Sequence, residues 1–116
     1  MSKQQKKTTN KQTVSYNGED FRAAFLRYSN GRLGMVLKTT GGQVHCSVSQ
    51  NLPDHPIDRN NLFINHDNPG MLAAMMEAGV LRPTGRVVDC EHLAGVPECE
   101  VLEPWLQEAK EAEVIQ

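Results

Sequence analysis

The stretch LGMVLKTTGGQVHCSVS, Leu33 to Ser49, consists of two alternating segments separated by a glycine-rich turn. Apolar residues occupy alternate positions in both segments: Leu33, Met35, Leu37, Val44, Cys46 and Val48. A period of two is typical of strands that bury one face. The turn contains Gly41 and Gly42, which tolerate the positive φ that such turns require. The stretch therefore predicts two antiparallel strands on one side of a core.

Two Asn-Gly pairs extend this hairpin toward the N-terminus. Asn17-Gly18 and Asn30-Gly31 are favoured pairs for two-residue hairpin turns. The segment between them, Phe21 to Tyr28, has apolar residues on both faces, so a strand is predicted and a helix is the alternative. Together these segments predict an antiparallel meander of about four strands.

A helix is predicted after the meander, over NPGMLAAMMEAG, Asn68 to Gly79. Asn68 or Asp67 can cap this helix, Pro69 suits its first turn, and Gly79 suits a left-handed stop. One face carries Met71, Leu72, Met75 and Ala78. This face is interpreted as core packed on the sheet. The alternative is a binding surface, because Met-rich faces occur in promiscuous grooves and Met76 lies at the edge of the stripe.

The remaining segments complete an α+β domain. The stretch Asn51 to Asn61 contains two prolines and is predicted as a loop. Further predicted elements are strands at Leu62–Asn65, Arg86–Val88 and Glu98–Leu102, a loop at Leu93–Pro97, and a helix from Pro104 to about Glu113 that Trp105 docks. The prediction is one α+β domain over residues 13–103, an antiparallel meander sheet of about four to six strands with the Met-rich helix packed on it. Residues 1–12 are predicted as a disordered basic arm, and residues 104–116 as an acidic helix or tail.

The net charge of −2 is unevenly distributed along the chain. Residues 1–12 contain four lysines and no acid, whereas residues 89–116 contain eight acids and Lys110 as the one base. An acidic end opposes phosphate binding nearby, so nucleic acid is disfavoured as a direct ligand. Charged ends of this kind are also common solubilising tails, which is the alternative interpretation.

The composition favours a cytoplasmic protein with no membrane association. No run approaches the roughly 20 apolar residues of a membrane span, and the polar N-terminus has no secretory h-region. Three cysteines, an odd number, fit a reducing compartment better than a disulfide framework.

No catalytic motif is found in the sequence, which lacks a Gly-x-Ser-x-Gly elbow, a phosphate-binding loop, a dinucleotide fingerprint and His-Glu-x-x-His. A protein without enzymatic activity or cofactor is predicted. The alternative is a small zinc-binding or thiol-dependent enzyme that uses Cys90, His92 and Cys99, with Cys46 as a fourth ligand. In the thiol version the base is drawn from His55, His66 and His92. The spacing permits chelation but does not indicate it.

A set of short motifs resembles a known family. The motifs are Tyr16-Asn17-Gly18, Tyr28-x-Asn30-Gly31-Arg32, Asn51-Leu52-Pro53, Gly70-Met71-Leu72, Glu77-Ala78-Gly79 and Pro83-Thr84-Gly85-Arg86. They are similar to those of small, functionally uncharacterised bacterial proteins associated with plasmids, phages and other mobile elements. The resemblance covers roughly residues 14–102. It implies an α+β domain and supplies no catalytic residues.

These observations predict a small protein-binding module, monomeric or homodimeric through an exposed strand edge. Its expected partner is a host protein or protein complex, which it inhibits if the partner is a defence complex such as a CRISPR nuclease. A clustered acidic surface can occupy a site meant for phosphates. The predicted contact residues are Glu98, Glu100, Glu103, Glu108 and Glu111, with Trp105 as an aromatic anchor.

Overall fold

The computed structural model describes residues 13–65, 67–90 and 93–114, so the predicted basic arm lies outside the described residues. The elements are β1 (Thr13–Tyr16), β2 (Glu19–Arg27), β3 (Leu33–Lys38), β4 (Val44–Ser47), β5 (Ser49–Gln50), β6 (Asn61–Ile64), α1 (Met71–Glu77), β7 (Leu81–Cys90), β8 (Leu93–Val101) and α2 (Trp105–Lys110). The predicted α+β class is confirmed. No helix within these ranges has the length and hydropathy needed to cross a membrane.

The strands form two antiparallel sheets of four strands each. The first sheet has the order β1-β2-β3-β4, which confirms the predicted meander and the strand assignment of Phe21 to Tyr28 over most of its length. The second sheet has the order β5-β6-β8-β7. The strands after α1 are longer than predicted, and the predicted loop over Leu93–Pro97 is wrong because those residues belong to β8. Register shifts in the β7–β8 pairing, between Pro83 and Val87, let the hairpin include a proline and a glycine.

The turns of the first sheet differ from one another. Asn17 and Gly18 both have positive φ, 54° and 81°, as a two-residue type I′ turn requires. Asn30 does not have a positive φ, and the predicted two-residue turn at Asn30-Gly31 is wrong. There the Tyr28 N–H donates to the Arg32 carbonyl and the Gly31 N–H donates to the Tyr28 carbonyl. Only Gly31 is left-handed, so the connection between β2 and β3 is wider.

The predicted inward face of Val44, Cys46 and Val48 is confirmed at Cys46, which packs against the core, and at Val48, and it is wrong at Val44. Val48 is fully buried, but Val44 is 62 % exposed. The register explains this, because Leu37 pairs with Cys46 and Lys38 pairs with Val44. β4 has one extra residue between Val44 and Cys46, and this residue reverses the alternation. The side chain of Val44 therefore lies on the outward face of the sheet, beside Lys38.

The Met-rich helix contributes to a core that both sheets share. Met71 and Met75 are buried in a cluster with residues of the first sheet, the second sheet and α2. Met76 is 48 % exposed at the edge of the stripe. The Met-rich face is therefore core, as interpreted from the sequence. Gly79, with φ of 75°, ends the helix as predicted. The predicted start is wrong, because α1 begins at Met71 after Gly70 and has no side-chain cap, so Pro69 precedes the helix.

The C-terminal segment packs on the same core and is not a separate tail. Trp105 and Ala109 are buried in the shared cluster. The Arg27 N–H of β2 donates to the Glu113 carbonyl at 2.9 Å, and Arg27 forms a parallel bridge with Val114. These contacts fix α2 against β2.

Candidate binding surface

The irregular loop over residues 51–60 covers the outer face of the second sheet. A small apolar cluster lies beneath it, consisting of Leu52, Phe63, Val88 and Val96, with Ile57 and Cys90 packed against these four. His55 contacts Phe63 edge-on, with the ring centroids 6.3 Å apart. The loop is therefore a folded cover with its own small core.

Three arginines bind the backbone of this loop. Arg32 donates to the carbonyls of Leu52, Pro53 and His55. Arg86 donates to the Pro56 carbonyl at 2.7 Å and lies over the Phe63 ring. Because an irregular segment cannot satisfy its own carbonyls, these guanidinium groups replace the ladder bonds of a sheet. The loop is held in one conformation.

Arg27 is the third of these arginines, and it is 2 % exposed. It donates to the Arg59 carbonyl, to the Asn60 Oδ1 at 2.8 Å and to the Ala109 carbonyl at 3.1 Å. A fourth acceptor, the Gly31 carbonyl, lies at 3.4 Å, and all four acceptors are neutral. The Nε hydrogen of Arg27 has no partner within the described residues. Burial, and then the charge of Arg59, lower the pKa of Arg27. Arg27 was not among the predicted site residues, although it continues the inward alternation of Phe21, Ala23 and Phe25.

Two of the predicted contact residues are paired within the second sheet. Glu98 is 6 % exposed and accepts hydrogen bonds from Arg86 at 2.8 Å and from Asn61 at 2.6 Å. Glu100 lies opposite Arg82 in the β7–β8 register and forms an ion pair with it at 2.6 Å. Cross-strand arginines neutralise both carboxylates, so neither is a free acid that faces solvent.

Trp105, the predicted aromatic anchor for a partner, is buried in the core of this chain. Its ring lies 6.5 Å from that of Phe25 on β2. It docks α2, as the sequence also predicted, and it is not accessible to a partner in this conformation.

The other three predicted contact residues are exposed, and we call Glu103, Glu108 and Glu111 the acidic edge. Burial, and then the carboxylate of Glu111, raise the pKa of Glu108. Glu111 accepts a hydrogen bond from Gln107 at 3.1 Å. No ion pair to the acidic edge occurs within the described residues.

A hollow of about 330 Å³ separates α2 from the loop. It is lined by Asp58, Arg59, Asn60, Asn61, Glu100, Val101, Leu106 and Lys110, and we call it the α2 hollow. Leu106 and Lys110 are four residues apart and share one side of α2. Glu108 lies on another side of α2, and Glu103 and Glu111 flank the helix, so the hollow and the acidic edge use different residues.

The cysteines of the alternative zinc or thiol site are not brought together. Cys90 pairs with Leu93 at one end of the β7–β8 hairpin, whereas Cys99 pairs with Pro83 near the other end. Six residues of strand separate these positions, about 20 Å. Cys46 belongs to the first sheet, and burial raises the pKa of its thiol. His66 and His92 lie outside the described residues.

Cys99 is also unsuited to thiolate chemistry. Its side chain is fully buried, and burial, followed by the nearby Glu98 carboxylate, raises the pKa of the thiol to about 12. A nucleophile or metal ligand needs the thiolate at neutral pH. In the parts of the chain that the structure describes, no group of three or more candidate ligands is positioned for a metal ion.

No protein-family model, curated protein or solved structure matches this chain.

Proposed function

We propose that this protein is a non-catalytic protein-binding module whose acidic edge, Glu103, Glu108 and Glu111, binds a basic surface of a host protein. The observation that carries this proposal is the docking of α2. Its buried face fixes the helix, while Glu108 on α2 and Glu103 and Glu111 beside its two ends remain exposed. The edge is therefore a rigid acidic surface, to which a basic surface is complementary.

Preorganisation supports this role for α2. A six-residue helix is marginal by itself, but Trp105 and Ala109 pack in the core and Arg27 binds the Ala109 carbonyl. Since the helix is ordered before a partner binds, the partner does not bear the entropic cost of ordering it.

Repulsion within the acidic edge favours a cationic partner. Burial is the larger cause of the raised pKa of Glu108, and the Glu111 carboxylate adds to it, which means that the two negative charges disfavour each other. An arginine or lysine placed against both carboxylates would remove this repulsion. Charge pairs of this kind also accelerate association at low salt.

The finer proposal is that the partner is a host defence complex, such as a CRISPR nuclease, and that the protein is an inhibitor carried by a mobile element. Its support is the resemblance to small proteins of plasmids and phages, together with the acidic edge. An acidic surface can occupy a basic groove that otherwise binds the phosphates of a nucleic acid.

The experiment is affinity capture from a host lysate with the tagged protein and two charge-reversed triple variants. The test variant is E103K/E108K/E111K. The matched control is E19K/D20K/E77K, which reverses three exposed acids on the first sheet and α1. We expect a stoichiometric partner that the wild type and the control retain and the test variant loses. Retention by all three proteins would overturn the proposed surface.

A competitor tests the finer proposal on the captured complex. Excess double-stranded DNA should release the partner if the acidic edge occupies a phosphate-binding groove. Sodium chloride at the same ionic strength is the reference, because salt alone screens the interaction. If DNA releases the partner no better than sodium chloride does, the groove model is contradicted. The acidic edge would then remain the proposed binding surface, without a phosphate-binding groove as its target.

A further inference from the structure

We propose that the α2 hollow binds an oxyanion, a carboxylate or phosphate group carried by a small organic molecule. This inference does not rest on the proposed function, because the hollow and the acidic edge use different residues. It depends on the charge around the hollow, on the orientation of one amide and on the uncompensated charge of Arg27.

The charges around the hollow sum to a positive value, although the C-terminal part of the chain is acidic. Arg59 and Lys110 line the hollow, and the buried Arg27 lies directly behind its wall, bonded to Arg59, Asn60 and Ala109. Against these cations, Asp58 and Glu100 line the hollow, and Arg82 already neutralises Glu100 at 2.6 Å. The four charged side chains of the lining cancel, so the positive sum of +2 comes from Arg27 behind the wall and from Arg82, which is paired with Glu100.

The amide of Asn60 is oriented to donate. A guanidinium can only donate, so its 2.8 Å contact fixes the Asn60 oxygen toward Arg27. The Asn60 NH₂ group then faces away from Arg27, and it donates to no other described residue. Because Asn60 lines the hollow, this amide joins Arg59 and Lys110 as donors available to an oxyanion.

The buried charge of Arg27 gives an anion a further reason to bind here. All of its acceptors are neutral, its Nε has no partner within the described residues, and Arg59 adds like charge nearby. A buried cation without a counter-charge is costly. An anion in the hollow would offset part of that cost without touching Arg27, since a nearby opposite charge favours the charged form of the guanidinium.

The size and lining of the hollow indicate the rest of the ligand. Its volume of about 330 Å³ exceeds that of a bare ion, and Val101 and Leu106 supply an apolar side. The ligand class is therefore a small carboxylate or phosphate ester with an apolar portion that contacts these two residues.

The test is an NMR titration of the ¹⁵N-labelled protein with inorganic phosphate and, separately, with benzoate. Sodium chloride at equal ionic strength is the reference for both. We expect saturable shift changes confined to residues 58–61 and 106–110, and the tighter of the two probes identifies the preferred oxyanion. Changes that do not saturate, or that sodium chloride reproduces, would overturn the proposal.

Two double variants locate the site. Arg59→Ala with Lys110→Ala removes two exposed side chains of the hollow, and we expect at least a tenfold weaker affinity. Arg22→Ala with Lys38→Ala removes two cations of the first sheet and should leave the affinity unchanged. Thermal unfolding of both variants verifies that they fold. Equal affinity in the two folded variants would place the anion elsewhere and contradict the inference.

Discussion

The guanidinium of Arg27 and the side-chain oxygen of Asn60 lie 2.8 Å apart, and this contact joins β2 to the loop before β6. The same guanidinium donates to the Ala109 carbonyl of α2 at 3.1 Å. One buried side chain therefore connects the two walls of the α2 hollow and also fixes the helix that carries the acidic edge.

Arg27→Met should destabilise the protein by about 1–3 kcal/mol. Methionine keeps the apolar stem but leaves the carbonyls of Arg59 and Ala109 without their donor in a buried environment. Denaturant unfolding at neutral pH measures the change. Arg22→Met on the same strand is the control, because Arg22 is exposed, and it should change the stability by less than about 0.5 kcal/mol. Similar effects of both substitutions would contradict the role assigned to Arg27.

Asn60→Asp should stabilise the protein by about 1 kcal/mol at pH 7. The substitution keeps the shape of the side chain and gives Arg27 a counter-charge where it has only neutral acceptors. Gln43→Glu, which adds the same charge at an exposed turn, should have no such effect. A loss of stability would show that the buried charge of Arg27 is compensated in another way.

The gain from Asn60→Asp should depend on pH with a definite sign. Arg27 would lower the pKa of the new carboxylate below its ordinary value of about 3.9. The gain is then complete above that value and disappears as the pH falls through the lowered pKa. Unfolding measured from pH 7 to pH 3 checks this, and a gain that persists at pH 3 would contradict the ion pair.

Met75→Ala and Met76→Ala should differ strongly, although the two residues are adjacent. Met75 is fully buried, so its truncation leaves a cavity and costs about 2–5 kcal/mol. Met76 is half-exposed and should cost less than about 0.5 kcal/mol. Thermal unfolding compares the two variants, and equal costs would contradict the orientation of α1.

The protein should lose stability in alkali through Cys99. The pKa of this thiol is about 12 in the folded state against an ordinary 9.0, so its contribution is complete below pH 9 and is lost as the pH rises toward 12. Between pH 7.5 and pH 10.5 the wild type should lose about 2 kcal/mol more than Cys99→Ala. Equal losses in the two proteins would show that Cys99 ionises in the folded state.

Local signals in the sequence predicted much of the fold. Alternation located the inward residues of β3, Asn17-Gly18 specified a tight turn, and Gly79 specified the end of α1. Each of these features depends on neighbouring residues, which is why one sequence was sufficient to predict it. Val44 was misplaced because a register shift depends on the partner strand, which the alternation of a single strand does not contain.

The candidate surfaces were less predictable because they depend on long-range pairing. Glu98 and Glu100 looked like free acids in an acidic segment, but Arg86 and Arg82 neutralise them across the β7–β8 hairpin. The α2 hollow combines residues from the loop, β8 and α2, which only the tertiary fold brings together. Glu103, Glu108 and Glu111 are exposed, as expected for acids in an acidic segment, and their role in binding stays a prediction.

The most direct test of the account is the affinity of the captured host partner for the purified protein and its two triple variants, measured by isothermal titration calorimetry. We expect E103K/E108K/E111K to weaken binding by at least a hundredfold and E19K/D20K/E77K to bind as the wild type does. We also expect added salt to weaken the wild-type complex. Undiminished affinity of E103K/E108K/E111K would contradict the claim that the acidic edge is the binding surface.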